Sequence, residues 1–151
     1  MKIMIEDDLI QSIKQLFNTQ KLAVLATNMK GMPYTSLVAF VATDDLKEII
    51  FATFKKTKKH DNLLNEPSVS MLIDNRKNKT SDFQDGIAVS ARGWGKIITN
   101  QRERYQSLYL KKHPSLSEFI TSPECDLIKI KVSEYQYVSR FENIKRLIFK
   151  P

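Results

Sequence analysis

The chain has 151 residues, 42% of them hydrophobic and 27% charged, which are the proportions of an ordinary globular protein. A single cysteine excludes an internal disulfide, and no apolar run approaches the ~20 residues that a membrane span needs. The 24 Lys and Arg residues outnumber the 17 Asp and Glu residues, and the net charge of +7 is compatible with an anionic ligand. We expect one domain over residues 1–151. Because no secretory signal precedes the acidic residues 6–8, we also expect it to be cytoplasmic, without a membrane partner.

The first predicted elements are one helix and three strands. Residues 6–19 carry apolar side chains at helical spacing, which predicts an amphipathic helix. Residues 22–27, 33–43 and 48–54 are rich in β-branched, aromatic and small apolar residues, which is typical of strands. The turn-forming residues 28–31 separate the first two strands, so we expect an antiparallel meander.

The rest of the chain adds three strands and further helices. In chain order the pattern predicts a helix over 58–66, a strand over 68–74, a polar loop over 75–85, a strand over 86–99, a helix over 100–112, a turn or two over 115–120 and a strand over 126–138. Leu63 and Leu64 are expected to face inward, and Asn100 with Glu103 reads as a capping box. The tail over 144–149 is ambiguous.

This succession of elements predicts a mainly β fold. It contains many short strands and few helices, without regular βα alternation. Such a pattern favours a six-stranded antiparallel β-barrel, closed or partly closed, with flanking helices. Gly93 and Gly95 mark a bulge or a close backbone approach in the fifth strand.

The segment between the third strand and the next helix is the most informative for function. Thr53 ends the strand, Thr57 is a good N-cap residue, and Lys58 and Lys59 open the helix. The helix dipole disfavours cations at this end, whereas backbone N–H groups there favour an anion. Two lysines at a helix start that disfavours cations predict a bound phosphate there. The alternative interpretation is a solvated, lysine-rich loop.

Several motifs together resemble the pyridoxamine 5'-phosphate oxidase-like family. They are Gly31-Met32-Pro33 leading into Thr35-Ser36-Leu37-Val38, Phe51-Ala52-Thr53, Thr57-Lys58-Lys59, Asn65-Glu66-Pro67 before an apolar strand, and Val89-Ser90-Ala91-Arg92-Gly93-Trp94-Gly95. Their order and spacing agree over roughly residues 10–138. The resemblance implies a split β-barrel that binds flavin mononucleotide (FMN).

Carried over by position, the resemblance also implies a set of site residues. Thr53, Lys58 and Lys59 would hold the flavin phosphate, and residues 36–38 would line the isoalloxazine ring through side chains and main-chain groups. The cofactor-binding set implied is Ser36, Leu37, Val38, Ala52, Thr53, Thr57, Lys58, Lys59, Arg76 and Trp94.

In that family the flavin lies at a dimer interface, so the resemblance implies a homodimer whose second subunit completes the pocket. Arg76, on the loop 75–85, is the first choice for a contact between subunits, and Trp94 could stack near the ring. The cofactor then supplies the redox chemistry. We expect an FMN-dependent oxidoreductase of a small molecule, with an electron donor that the sequence does not identify.

The chain departs from the family's namesake enzyme at its substrate-binding positions. Ala42 and Ala88 stand where that enzyme has a lysine and a glutamine. Its carboxy-terminal Arg-x-His motif is missing, since the tail reads Arg146-Leu147-Ile148. Oxidation of a vitamin B6 phosphate is therefore not expected.

Other readings stay open. Related split barrels bind haem or a deazaflavin, and a flavin-binding module without catalysis would carry the same motifs. A nucleic-acid binder should interleave aromatic and basic residues, and only Phe54 flanks the lysine cluster, so we expect no nucleic-acid partner. For His60 we expect a solvent-facing helix position, and for His113 a helix end. Cys125 between two acidic residues is expected to have a raised thiol pKa and not to act as a nucleophile.

Overall fold

Residues 6–141 and 143–151, which the computed structural model describes, form seven strands and five α-helices. The elements are α1 (Glu6–Thr19), β1 (Leu22–Met29), β2 (Met32–Ala42), β3 (Glu48–Phe54), α2 (Lys58–Asn65), β4 (Ser68–Asp74), α3 (Asp82–Asp85), β5 (Ile87–Ile97), α4 (Arg102–Lys112), a 3-10 turn (Pro114–Leu116), α5 (Ser117–Thr121), β6 (Cys125–Ser139) and β7 (Asn143–Ile148). None of the helices in this described part is long and apolar enough to cross a membrane.

Six of the strands close into a barrel. They pair in the order β3-β2-β1-β4-β5-β6, all antiparallel, and β6 pairs back onto β3 through Cys125–Lys131. This confirms the predicted six-stranded antiparallel barrel. The tail that the sequence left ambiguous forms β7, which pairs with the second half of β6. One edge of the long β6 strand therefore pairs with β3 along its first half and with β7 along its second half.

The barrel interior and the surface under α4 form two separate apolar clusters. Alternation along β2 and β3 turns Phe40 and Phe51 into the barrel, where α1 adds Phe17 with its ring centroid 5.4 Å from that of Phe40. Ile50 belongs to the second cluster, on the outside of the barrel, and packs there with Tyr109 of α4. This helix therefore covers the outer face of β2 and β3, beside the candidate site.

Backbone geometry explains why glycine occupies two positions in the barrel. The β1–β2 hairpin turns through Lys30 and Gly31, both with positive φ (51° and 82°), the conformation of the favoured two-residue hairpin turn. At Gly95 a Cβ atom would lie 2.6 Å from Leu63 Cδ1, so the absence of a side chain lets α2 rest on β5. The pairing of β5 with β6 also shifts register between Arg92 and Gly93, which confirms the predicted bulge.

Two local predictions were wrong. The fourth helix begins at Arg102 and not at Asn100, because Gln101 adopts a left-handed conformation (φ 57°) as its N-cap and makes no capping side-chain bond. The side chain of Leu64 is 58% exposed, whereas Leu63 is buried. Successive residues of a helix point about 100° apart, so only one of the two faces the barrel.

Candidate functional site

A gap between β2 and β3 is the main irregularity of the barrel. Their described pairing has three residue pairs and stops at Phe40 with Phe51. At the other end of this ladder, Thr43 N–H donates to a β3 carbonyl 2.9 Å away. Every second residue of an antiparallel strand bonds to the same neighbour, so Ala39 and Leu37 direct their main-chain N–H and C=O groups towards β3, beyond the last pair. The gap thus presents main-chain donors and acceptors.

A cavity of about 330 Å³ lies at this gap, within the size range of small-molecule sites. The predicted site residues that line it are Leu37, Val38, Ala52, Thr53 and Lys59. The other lining residues are Leu22, Ala39, Phe54, Tyr109, Leu116 and Phe119. The structure therefore brings half of the predicted cofactor-binding set to one cavity.

Two threonines join the end of β3 to the start of α2. Thr57 is the N-cap of α2, and its side chain accepts a hydrogen bond from His60 N–H at 3.4 Å, which confirms the predicted cap. The hydroxyl oxygens of Thr53 and Thr57 lie 2.9 Å apart, and the Thr57 hydroxyl donates to Phe54 O at 2.9 Å. These bonds fix the first turn of α2 beside the cavity.

The two lysines of that turn differ in exposure. Lys59 is half-buried and lines the cavity, and burial lowers the pKa of its ammonium. Lys58 is exposed, with Nζ 5.0 Å from the centroid of the Tyr34 ring. Neither forms an ion pair among the described residues. Two positive charges therefore stand at the positive end of a helix dipole without a carboxylate partner.

Strand alternation corrects the expected role of two residues of β2. Val38 packs in the barrel core, and Ser36 points to the same side, with its Oγ buried and without a hydrogen-bond partner in the described part of the chain. Their side chains therefore face the barrel, and by the same alternation their main-chain N–H and C=O groups point to β1 and not into the gap. Leu37 points outward and is 66% exposed.

Arg76 and Trp94 lie elsewhere on this chain. Arg76 follows β4 and forms an ion pair with Asp74, with Nε 2.9 Å from Oδ2. Trp94 is on β5, 54% exposed, and lines a different cavity together with Arg92. Within one copy of the chain, neither residue lines the gap between β2 and β3.

Two side-chain hydrogen bonds between α2 and the barrel were not predicted from the sequence. His60 is buried, and its Nε2 lies 2.8 Å from Asp126 Oδ2 on β6, so the predicted solvent-facing position is wrong. Asn62, also buried, donates from Nδ2 to Thr27 Oγ1 at 3.1 Å. Both bonds tie α2 to the barrel. No local pattern could have shown them, because the partners are 66 and 35 residues apart.

The aromatic wall of the cavity was missed as well. The rings of Phe54 and Phe119 lie 4.9 Å apart between centroids, and Tyr109 completes the wall. Burial raises the pKa of Tyr109 to about 12, so its hydroxyl is neutral at physiological pH. The spacing of Tyr105 and Tyr109, one helical turn apart, is the signal that could have indicated a buried face.

The position of His113 and the direction of the Cys125 pKa shift agree with the predictions. His113 is the C-cap of α4, with Nε2 2.8 Å from Phe40 O. The pKa of the Cys125 thiol is raised, chiefly by burial and additionally by Asp126, which agrees with the prediction that it is not a nucleophile.

Comparison with known proteins gives a family and a set of similar folds. The family model described as pyridoxamine 5'-phosphate oxidase matches residues 9–139. General Stress Protein 26 from Bacillus anthracis superposes with a TM-score of 0.73 at 22% sequence identity, covering 93% of this chain and 98% of that chain. A putative pyridoxamine 5'-phosphate oxidase from Listeria innocua gives 0.69 at 14% identity, covering 86% and 98%.

A haem-binding protein from Mycobacterium smegmatis gives a TM-score of 0.80 at 13% identity, and the match covers 92% of this chain. This chain spans only 57% of that longer one. At such identities the superpositions show a shared fold alone. A search of curated protein sequences finds no match.

Proposed function

This chain belongs to the pyridoxamine 5'-phosphate oxidase family, and we propose that it binds FMN at the gap between β2 and β3. We further propose that it acts as a homodimeric, FMN-dependent oxidoreductase on a small molecule. The observation that carries the proposal is the cavity at the gap, which opens beside a capped helix start whose two lysines form no ion pair among the described residues.

The phosphate end of FMN fits the start of α2. Lys59 lines the cavity with an ammonium whose pKa is lowered by burial, so a phosphate would offset the cost of burying that charge. Lys58 adds a second, exposed charge. Thr57 caps the helix and orients its first N–H groups, which are natural donors to an anion.

The ring end of FMN fits the gap itself. A flavin ring is planar and carries nitrogen and oxygen atoms on its edge, which match the main-chain groups that Leu37 and Ala39 direct into the gap. Phe54 and Phe119 provide an aromatic wall for its faces. When bound, the flavin supplies hydride or electron transfer, and the chain binds it, orients it and excludes water from one side.

Dimerisation is proposed because the gap is open on the outside of the barrel. Leu37 is 66% and Phe54 45% exposed there, and apolar side chains grouped at a site are typical of an interface. A second copy of the chain would cover them. Arg76 and Trp94, which do not reach the gap within one chain, are the residues proposed to contribute from the partner.

The substrate is proposed to differ from a vitamin B6 phosphate. Ala42 and Ala88 have no polar side chain with which to bind one. In the tail, Arg146 Nε lies 3.5 Å from Glu134 Oε1, and Leu147 is buried in the barrel core. Strand β7 therefore has a structural role where the namesake enzyme has its substrate motif.

FMN is favoured over haem by the positions of the two histidines. A histidine that binds haem iron must direct a free imidazole nitrogen into the cavity that holds the haem. His60 and His113 are both buried, and neither is among the described residues that line the cavity at the gap. The one imidazole nitrogen known to lack a hydrogen-bond partner among the described residues, His60 Nδ1, is itself enclosed in the protein.

The direct test is an absorbance spectrum of the purified protein, recorded before and after incubation with FMN and removal of the excess. We expect a flavin spectrum that dithionite bleaches, and sedimentation of the loaded protein as a dimer. A Soret band would identify haem instead, and the distinct absorbance of a deazaflavin would identify that cofactor. A protein that stays colourless after incubation would refute cofactor binding.

A further inference from the structure

A second cavity, of about 410 Å³, lies between α1, the β2–β3 turn and α4. It shares no lining residue with the gap between β2 and β3. Its wall combines apolar side chains, among them Phe17, Leu46 and Leu108, with three lysines. This combination of apolar surface and cationic groups is typical of a binding site and has no role in the proposed flavin chemistry.

The charge of this cavity is not balanced within the protein. The described residues of its lining include Lys14, Lys111 and Lys112 but only one carboxylate, Asp44. That carboxylate is paired with Lys14, with Nζ 3.2 Å from Oδ1. Lys111 and Lys112 form no ion pair among the described residues, so two ammonium groups remain without a counter-charge.

Lys112 is held in place at the cavity wall. Its Nζ donates to Phe17 O, near the end of α1, at 2.7 Å and lies 3.8 Å from the centroid of the Phe40 ring. An ammonium has three donors, and among the described residues only the bond to Phe17 O uses one of them, so donors remain for a ligand. Burial lowers the pKa of Lys112 to about 8, so its charge is disfavoured at this position and a bound anion would stabilise it.

We propose that this cavity binds a small organic anion with a carboxylate head and an apolar body. Lys111 and Lys112 bind the carboxylate, and Phe17, Leu46 and Leu108 pack against the body. An adjoining cavity of about 340 Å³ shares Thr43, Asp44, Leu108 and Lys111 with the first, and Arg104 and Ser107 complete its lining. The site lies apart from the proposed flavin site and does not depend on it.

The test is calorimetric titration of the 151-residue chain with octanoate and, separately, with octanamide, which has the same apolar chain but no charge. We expect octanoate to bind at least about tenfold more tightly, because a hydrogen bond between charged groups is lost with the amide. The titration is repeated with excess FMN. If the affinity for octanoate is unchanged by FMN, the two ligands bind at separate sites, as proposed. If FMN competes with octanoate, then octanoate binds at the flavin site and the proposal is overturned.

Matched variants locate the site. Lys111→Glu and Lys112→Met should each weaken octanoate binding by about tenfold or more. Lys96→Glu changes the net charge as Lys111→Glu does, on an exposed residue of β5 outside the cavity, and should leave binding unchanged. Lys111 is exposed, so its replacement tests the site even if Lys112→Met disturbs the fold, which circular dichroism would show. Equal binding of octanamide, full binding by both cavity variants, or equal loss in the Lys96 control would refute the proposal.

Discussion

Replacing Lys59 by methionine is the sharpest test of the flavin phosphate site, because methionine keeps the apolar stem and removes the charge. Lys59 is half-buried and lines the cavity, so its bond to a phosphate would be charge-assisted and partly shielded from water. Such a bond contributes about 1.5–3 kcal/mol, and its loss weakens FMN binding by roughly tenfold to a hundredfold.

The neighbouring lysine provides an internal comparison. Lys58 is exposed, and an ionic contact in water contributes about 0.2–1 kcal/mol, so Lys58→Met should weaken FMN binding by no more than about fivefold. Both residues lie in the first turn of α2, so the difference between the two variants follows from the half-buried position of Lys59 at the cavity and the exposed position of Lys58.

The assay is fluorescence titration of the protein into FMN and, as a control, into riboflavin, which lacks the phosphate. Lys59→Met should lose affinity for FMN and keep its affinity for riboflavin. Lys55→Met, an exposed lysine of the preceding turn, should change neither. If Lys59→Met binds FMN as tightly as the wild type does, or loses riboflavin affinity to the same extent, the assignment of the phosphate site is wrong.

Two further predictions concern stability. Thr57→Ala removes the N-cap of α2 and the bond to Thr53, and should lower the free energy of unfolding, measured in urea, by about 1 kcal/mol. Thr57→Ser keeps a hydroxyl and should retain most of that stability. An equal loss of stability in both variants would contradict a capping role. Burial lowers the pKa of Lys112 to about 8 in the folded protein, against 10.5 for an unperturbed lysine. Between these two pH values the unfolded state binds more protons than the folded state does, so the free energy of unfolding of the wild type should rise with pH. Urea unfolding at about pH 7 and about pH 10 should show a smaller rise for Lys112→Met, and the same rise in both proteins would refute the lowered pKa.

Strong local patterns made part of the structure predictable. The strands over 48–54 and 68–74 were predicted with the boundaries that β3 and β4 have, because β-branched and apolar residues lie between clear turn signals. The cap of α2 was predictable for the same reason, since Thr57 and the two lysines that follow are neighbours in sequence.

Features that depend on tertiary contacts were not predictable. The pairing of His60 with Asp126 joins residues 66 positions apart and has no local signature. Strand β7 buries only Leu147, so it lacks the alternation by which a strand is recognised. The gap between β2 and β3 is also invisible in the sequence, because both strands continue on either side of the point where their pairing ends.

The way in which β6 closes the barrel has a consequence for how the chain must be made. Phe51 pairs with Ile128, so a ribosome releases β3 long before it releases the partner of that strand. During that interval β3 is an apolar sheet edge with unpaired main-chain groups, which is the kind of surface through which nascent chains aggregate. A polypeptide truncated before Cys125 would keep this edge open and is expected to accumulate as insoluble material.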